Sequence, residues 1–171
     1  MKAQNVRVTI LALSLSAAAF IGIATHEGYT TNAVIPTKGD VPTLGYGSTV
    51  HESGKRVQMG DKTDPVNALL KAQAHISKAE QQFRDSLPGA FLTQGEYDVY
   101  MDFVYQYGIA NWNKSNMRRS ILAGQHAQAC NGLLAYRFAA GYDCSTPGNK
   151  RCMGVWTRQQ QRHKTCLDAQ P

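Results

Sequence analysis

His26-Glu27-Gly28-Tyr29 is followed at short range by Pro42-Thr43-Leu44-Gly45-Tyr46-Gly47, and this pair of segments organises the rest of the chain. Glu27 comes directly after a long apolar run. The second segment has the composition of a short strand, with glycine where another part of the backbone approaches closely. An acidic side chain beside a glycine-rich strand is a candidate active site, and we expect the remaining elements to support it.

Length and composition predict a single globular domain with a sizeable core. The chain has 171 residues, of which 43% are hydrophobic, and this excludes gross disorder. Its net charge of +6 favours polyanionic partners such as an acidic cell-wall polymer. The basic residues are scattered, apart from Arg118-Arg119, so we predict no nucleic-acid partner. The histidines form no H-E-x-x-H or comparable pattern, so we predict no metal and no cofactor. We expect a monomer.

The four cysteines, Cys130, Cys144, Cys152 and Cys166, all lie in the last quarter of the chain. Their spacing matches no paired C-x-x-C zinc pattern, and an even number behind an export-like segment indicates disulfides. Three pairings are possible for four cysteines. We favour Cys144 with Cys152, which closes a loop, and Cys130 with Cys166, which ties the last helix to an earlier one. Four reduced thiols in a cytosolic protein is the alternative.

The N-terminal segment is an apolar run without charge from Val8 to Thr25. Lys2 and Arg7 precede it, so the positive-inside rule keeps the N-terminus cytoplasmic and sends the remainder across the membrane. The segment fits a cleavable signal peptide, a permanent anchor or a weak, releasable anchor. Its many Ala, Gly and Ser residues contribute little transfer energy, which favours the releasable anchor. We therefore divide the chain into an anchor, residues 1–25, and a catalytic domain, residues 26–171.

Local signals predict an α+β fold that is mainly helical. The β-branched stretch at residues 30–37, the turn Lys38-Gly39-Asp40 and the strand over residues 41–47 predict a small irregular hairpin. Asp64-Pro65 predicts a helix start, and Thr93 with Glu96 forms a capping-box pattern. The predicted helices cover residues 66–84, 97–107, 115–123, 125–140 and 156–168. We expect a small N-terminal β-lobe and a larger helical lobe with a cleft between them.

Several motifs in fixed order resemble the phage-type lysozymes, the endolysins related to T4 lysozyme that form glycoside hydrolase family 24. Glu27-Gly28 resembles the "E-G" that opens this family after its first helix, and residues 42–47 are similar to its "W-T-I-G-Y-G" strand. Residues 103–108 stand where the family has "F-N-V-G", and Ser115-Asn116-Met117 resembles its "S-T-L" helix start. Residues 153–158 with Arg162 are similar to the closing "G-L-x-x-R-R" motif. The chain looks most like the signal-arrest-release branch.

The resemblance implies a lysozyme that hydrolyses the β-1,4 bond between N-acetylmuramic acid and N-acetylglucosamine in peptidoglycan and lyses the host cell. The family's catalytic set is a Glu, an Asp or Cys, and a Thr. Glu27 matches the Glu, which delivers a proton to the leaving oxygen and is best held partly out of water, and Thr43 matches the Thr, which positions a water. Thr37 occupies the middle position, where a hydroxyl lacks a suitable pKa for a base. Asp40 is the nearest carboxylate.

Three further residues are predicted to contact sugar: Tyr46, Gln106 and Arg137. The missing second carboxylate leaves two alternatives open. One is a lytic transglycosylase that uses Glu27 alone, and the other is a non-catalytic, membrane-anchored wall-binding protein. The releasable anchor implies that the chain is first inserted, inactive, in the host inner membrane and is then released, active, into the periplasm. Leaving the bilayer would let residues 8–25 fold back and complete the domain.

Overall fold

In the computed structural model, which describes residues 5–37 and 39–171, the chain forms seven α-helices and six short β-strands. The helices are α1 (Ala17–Glu27), α2 (Pro65–Asp85), α3 (Gln94–Tyr107), α4 (Ile109–Lys114), α5 (Asn116–Leu122), α6 (His126–Gly132) and α7 (Met153–Asp168). The strands are β1 (Val8–Thr9), β2 (Thr30–Val34), β3 (Thr43–Gly45), β4 (Phe91–Leu92), β5 (Phe138–Ala139) and β6 (Tyr142–Asp143). Lys2 and Lys38, which belong to the predicted anchor flank and the predicted turn, lie outside the described residues.

The chain divides into two compact units. The small unit is Ser16–Glu80, and the helical unit combines Met1–Leu15 with Gln81–Pro171. In the small unit, β2 pairs antiparallel with β3, and a core of Ala33, Leu44 and Val57 lies beneath this hairpin. The other edge of β2 bonds to residues 61–63, where the Ala33 amide donates to the Asp61 carbonyl at 2.9 Å. The predicted small β-element is therefore three segments wide.

Trp112 lies at the centre of the helical unit. Its ring is fully buried and lies within 4.9 Å of the Phe83 ring and 5.3 Å of the Tyr100 ring, measured between centroids. The indole N–H donates to the Ser86 hydroxyl at 2.8 Å, which satisfies the only polar atom that this side chain buries. The apolar composition of residues 97–107 therefore reflects a buried helix, as the sequence predicts, and α3 carries seven buried residues.

Helix starts follow the predicted capping chemistry. Asp64 Oδ1 accepts hydrogen bonds from the backbone amides of Val66 and Asn67 at 2.9 and 3.0 Å, and Pro65 opens α2. At α3, the Thr93 hydroxyl accepts from the Glu96 amide at 3.1 Å while the Glu96 carboxylate accepts from the Thr93 amide at 2.7 Å. These reciprocal bonds complete the capping box and confirm both predicted starts.

The helix predicted over residues 125–140 is wrong in its second half. Helix α6 ends at Gly132, where an added Cβ would come within 2.7 Å of Met117 Cγ, so the glycine lets α6 approach α5 closely. A short 3-10 turn follows, and then β5 and β6 form a hairpin. Its two central residues, Ala140 and Gly141, have φ of +48° and +81°, the conformation that two-residue hairpins require. The short helix α4 was not predicted.

The apolar N-terminal run does not form one helix. It divides into β1, a 3-10 turn at Ile10–Ala12, and α1. Ser16 caps the start of α1, where its hydroxyl accepts a hydrogen bond from the Ala19 amide at 3.1 Å. Ile10 and Leu13 are buried in the helical unit, and Ile23 and Ala24 are buried in the small unit. Within the described part of the chain, no helix has both the length and the apolarity needed to cross a membrane.

A partly buried ion-pair cluster joins α7 to α3. Asp102 Oδ1 accepts from Arg158 at 2.5 Å, and Asp102 Oδ2 accepts from Arg162 at 2.6 Å. Burial disfavours the charged carboxylate, but the hydrogen bonds and charges of the two arginines outweigh burial and hold the pKa of Asp102 below its usual range. The basic motif at the end of the chain therefore serves the packing of the last helix.

Both predicted disulfides are present. Cys130 pairs with Cys166, which links α6 to α7 over a sequence separation of 36 residues. Cys144 pairs with Cys152 and closes a loop with a separation of 8 residues. The favoured pairing is thus confirmed, and the alternative of four reduced thiols is wrong.

Removing the Cys130–Cys166 disulfide by paired alanine substitution is expected to lower the free energy of unfolding by about 3 kcal/mol. The same change at Cys144 and Cys152 is expected to cost about 2 kcal/mol, because a crosslink that closes a shorter loop restricts the unfolded chain less. Urea denaturation of the two paired variants beside the unsubstituted protein measures both losses. A larger loss for the short loop would contradict this account.

Candidate active site

Glu27 is the last residue of α1, and its carboxylate lies beside the glycine-rich turn. A Cβ added at Gly47 would lie 3.5 Å from Glu27 Oε2, so the absence of a side chain at Gly47 keeps this space open. The structure therefore brings together the two segments that the sequence singles out. Glu27 itself is exposed, so the expectation that its carboxyl is held partly out of water is not met.

The turn that carries Gly47 is fixed on both sides. Leu44 and Ser48 exchange two backbone hydrogen bonds of 2.9 and 3.0 Å, so the chain reverses across residues 45–47. Gly45 has φ of +64°, and a Cβ there would come within 2.8 Å of Ala68 Cβ on α2. Only glycine meets both conditions without strain, because an L side chain disfavours this φ and would overlap α2. Packing against α2 thus places the turn that lies against Glu27.

Thr43 is the first residue of β3 and lies opposite Val34 of β2. Its hydroxyl donates to the Val34 carbonyl at 3.4 Å. A threonine hydroxyl has one donor and two acceptor lone pairs, so the oxygen can still accept a hydrogen bond from water. The side chain is half-buried and fixed by the strand pairing, which suits a group that orients a water.

Thr37 and Asp40 occupy the exposed turn between β2 and β3. The Thr37 carbonyl accepts from the Asp40 amide at 2.9 Å, and Asp40 Oδ1 accepts from the Val41 amide at 2.9 Å. The Asp40 carboxylate is thus bonded to its own turn. The structure places both residues on the hairpin that carries Thr43, at its tip, while Glu27 lies beside the turn at the other end of β3.

Tyr46 lies at the apex of the glycine-rich turn. Its ring centroid is 5.5 Å from that of Tyr29, which follows the catalytic candidate Glu27 by two residues, and the two rings are tilted by 51°. The Tyr29 hydroxyl donates to the Thr63 carbonyl at 3.3 Å, which fixes the second ring. This pair places aromatic rings on the two segments that meet at Glu27 and Gly47, and the sugar contact of Tyr46 stays a prediction.

Gln106 and Arg137, the other two predicted sugar contacts, belong to the helical unit. Gln106 is exposed on the last turn of α3. Arg137 Nε lies 3.2 Å from Asp143 Oδ2, and its guanidinium lies 5.4 Å from the centre of the Phe138 ring. These contacts fix Arg137 within the β5–β6 hairpin. The roles of both residues stay predictions.

His51 and Asp61 form a pair that the sequence analysis did not identify. Their side chains meet at 2.7 Å between Nε2 and Oδ2, and the same carboxylate oxygen accepts from the Gln58 amide at 2.8 Å. The hydrogen bonds from the Gln58 backbone and from His51 lower the pKa of Asp61. Both residues lie in irregular loop, where no periodicity signals a contact. Within residues 5–37 and 39–171, no three His, Cys, Asp or Glu side chains gather as a metal site.

Comparisons with known proteins bear on the family and the fold of the chain. The phage lysozyme family model matches residues 24–162. No curated protein sequence is similar enough to count as a match. Among solved structures, the endolysin from Escherichia coli O157:H7 phage FAHEc1 is 22% identical and has a TM-score of 0.76, with 93% of this chain and 97% of that chain covered.

Two other solved structures are similar over nearly the whole chain. A P22 lysozyme variant is 19% identical, with a TM-score of 0.74 and coverage of 91% of this chain and 99% of that chain. The muramidase domain of SpmX from Asticaccaulis excentricus is 17% identical, with a TM-score of 0.71 and coverage of 91% and 98%. These similarities confirm the predicted lysozyme-like, mainly helical α+β fold.

Proposed function

The chain belongs to the phage lysozyme family, and we propose that it is an endolysin that hydrolyses the β-1,4 bond between N-acetylmuramic acid and N-acetylglucosamine and so lyses the host cell. Family membership supports peptidoglycan hydrolysis as the general activity. The observation that carries the specific proposal is the Glu27 carboxylate lying against Gly47 of the glycine-rich turn.

In the proposed reaction, Glu27 protonates the glycosidic oxygen as the bond to the leaving sugar breaks. An inverting enzyme then needs a water on the opposite face of the sugar ring. The Thr43 oxygen accepts a hydrogen bond from this water, since its own proton is donated to the Val34 carbonyl. Asp40 is the base candidate, and it would have to exchange its bond to the Val41 amide for one to the water. Thr37 assists only as a hydrogen-bonding group, because a hydroxyl is too weak a base at neutral pH.

A lytic transglycosylase that uses Glu27 alone is the second candidate. The engagement of the Asp40 carboxylate by its own turn favours this candidate, because the Glu27 carboxylate, by contrast, lies beside the glycine-rich turn. Mass spectrometry of digested peptidoglycan separates the two. Hydrolysis gives products with a reducing muramic acid end, whereas an anhydro-muramic end would overturn the hydrolase proposal.

We propose further that residues 8–25 first hold the chain in the host inner membrane and are then released to the periplasm. The support is twofold: the run is rich in small residues, and the folded chain buries Ile10, Leu13 and Ile23 of this run, although Leu11 and Ile21 stay exposed. A segment whose apolar residues complete two cores gains stability by leaving the bilayer.

Replacing Ala12, Ala17 and Ala18 by Leu is expected to retain the protein in the membrane and to delay lysis. All three are exposed in the folded chain, so the larger side chains meet no core. The substitutions favour insertion by about 1–2 kcal/mol, which shifts the inserted-to-released ratio by a factor of about 5 to 30. Membrane fractionation and the time of lysis in an expressing culture measure the effect.

The matched control changes the same three residues to Ser, which lowers apolarity at equal exposure. This variant is expected to appear in the soluble periplasmic fraction at least as fully as the unsubstituted protein. Prompt lysis by the Leu variant would contradict the releasable anchor.

A further inference from the structure

An open pocket of about 500 Å³ lies within the small unit. It is formed by the loop at residues 51–53, by residues 62–63 and by the N-terminal half of α2. Leu44, which directly follows Thr43 on β3, forms part of its wall. The strand that carries the water-positioning candidate therefore also borders this pocket, and nothing in the proposed bond cleavage uses it.

Two lysines line the pocket, one with its side chain fixed by a hydrogen bond and one with its side chain exposed. Lys71 is half-buried on α2, and its Nζ donates to the Val50 carbonyl at 2.8 Å. The Lys62 backbone is bridged to Asn32 of β2. Across the described part of the chain, neither ammonium forms an ion pair with a carboxylate. The pocket thus presents one positive charge held in place on α2 and a second on the exposed Lys62 side chain.

One carboxylate lines the pocket, and that of the neighbouring Asp64 is bonded to Asn67 and to the start of α2. The lining carboxylate is that of Glu52, which is exposed. The nearby Asp61 carboxylate is bonded to His51 and to the Gln58 amide. The lining residues are Leu44, His51, Glu52, Ser53, Lys62, Thr63, Asn67 and Lys71, none of which is Phe, Tyr or Trp. A sugar ring would find no such aromatic face to stack on here, whereas a ligand of mixed charge would find partners for both signs.

We propose that this pocket binds the peptide stem of the wall polymer, and the inference rests on the proposed function. A stem carries several carboxylates, and in diaminopimelate-type walls it also carries one free ammonium. Lys62 and Lys71 bind the carboxylates, and Glu52 binds the ammonium. The active site thereby selects glycan strands that still bear their stems.

The test compares two substrates: intact sacculi, and glycan strands stripped of their stems by an amidase. Lys62→Gln/Lys71→Gln is expected to lower kcat/KM about fivefold on sacculi, since an exposed ion pair contributes a factor of about two to three. On stripped strands its activity is expected to stay within about twofold of the unsubstituted protein. Glu52→Gln is expected to lower kcat/KM about twofold on sacculi only.

The control, Lys78→Gln/Lys114→Gln, removes the same charge at exposed positions that do not line the pocket. This control separates stem binding from general attraction to an acidic wall. Its kcat/KM is expected to fall by the same factor on both substrates. Lys62→Gln alone serves if the double variant does not fold, because the Lys62 side chain is exposed. Equal losses of the pocket variant on both substrates, or no loss on either, would overturn the proposal. An unsubstituted protein inactive on both would instead count against the proposed function.

Discussion

Glu27→Gln is expected to lower peptidoglycan hydrolysis by a factor of about 10²–10⁴, the usual contribution of a positioned general acid. Glutamine keeps the shape of the side chain but cannot deliver a proton at neutral pH. Because Glu27 is exposed at the end of α1, the substitution leaves no buried group unpaired. The clearing rate of a purified cell-wall suspension measures the loss, and an unchanged unfolding midpoint shows that the fold is retained.

Asp85→Asn is the matched control, since it removes one carboxylate from an exposed position at the end of α2. It is expected to clear walls at the rate of the unsubstituted protein. Equally poor clearing by the unsubstituted protein and the Glu27 variant would instead support the non-catalytic wall-binding alternative. Asp40→Asn in the same assay examines the second catalytic group. A loss comparable to that of Glu27→Gln identifies Asp40 as the base, and a small loss favours the transglycosylase.

Local chemistry explains which parts of the fold the sequence predicts. The caps at Asp64 and Thr93 depend on atoms within three residues, so their sequence patterns are sufficient. The close approach of α6 to α5 at Gly132 depends on Met117, which lies on another helix. The pairing of β1 with β4 joins residues that are far apart in sequence, and each strand has only two residues. Neither tertiary contact leaves a periodic signal, so both escape prediction.

The sequence likewise predicts one part of the candidate site and leaves another part undetermined. Glu27 ends α1, and Gly47 follows β3, the strand that pairs with β2. Motifs in a fixed order along the sequence predict that these two residues meet. The second catalytic group lies in the turn at residues 35–42, whose conformation is set by bonds such as that between Asp40 and the Val41 amide. Turn conformation decides whether a carboxylate faces the substrate, and residue spacing alone does not determine it.

Arg7 places its positive charge beside a buried carboxylate of the helical unit. Substituting Arg7 is expected to cause the largest loss of stability. Glu96 is fully buried, and the Arg7 guanidinium meets its carboxylate through two nitrogens at 3.1 and 3.0 Å. The Gln170 side-chain amide adds a bond of 2.8 Å. His126 Nδ1 is 3.4 Å away, but burial lowers the pKa of this histidine, with the Glu96 charge opposing the shift, so Arg7 is the cation at neutral pH.

Arg7→Met is therefore expected to lower the free energy of unfolding by about 3–5 kcal/mol, because it leaves a buried carboxylate without its cation. Glu96→Gln is expected to cost only about 1 kcal/mol. Glutamine at this position still completes the capping box, and the Arg7 side chain, 24% exposed, can reach water. The double variant is expected to resemble Glu96→Gln alone, since the unpaired charge is then absent. Urea denaturation of the four proteins measures this cycle, with Arg56→Met as a control for loss of an exposed arginine. If the two single substitutions lowered the free energy of unfolding equally and additively, Arg7 would stabilise the protein by packing and not by neutralising Glu96.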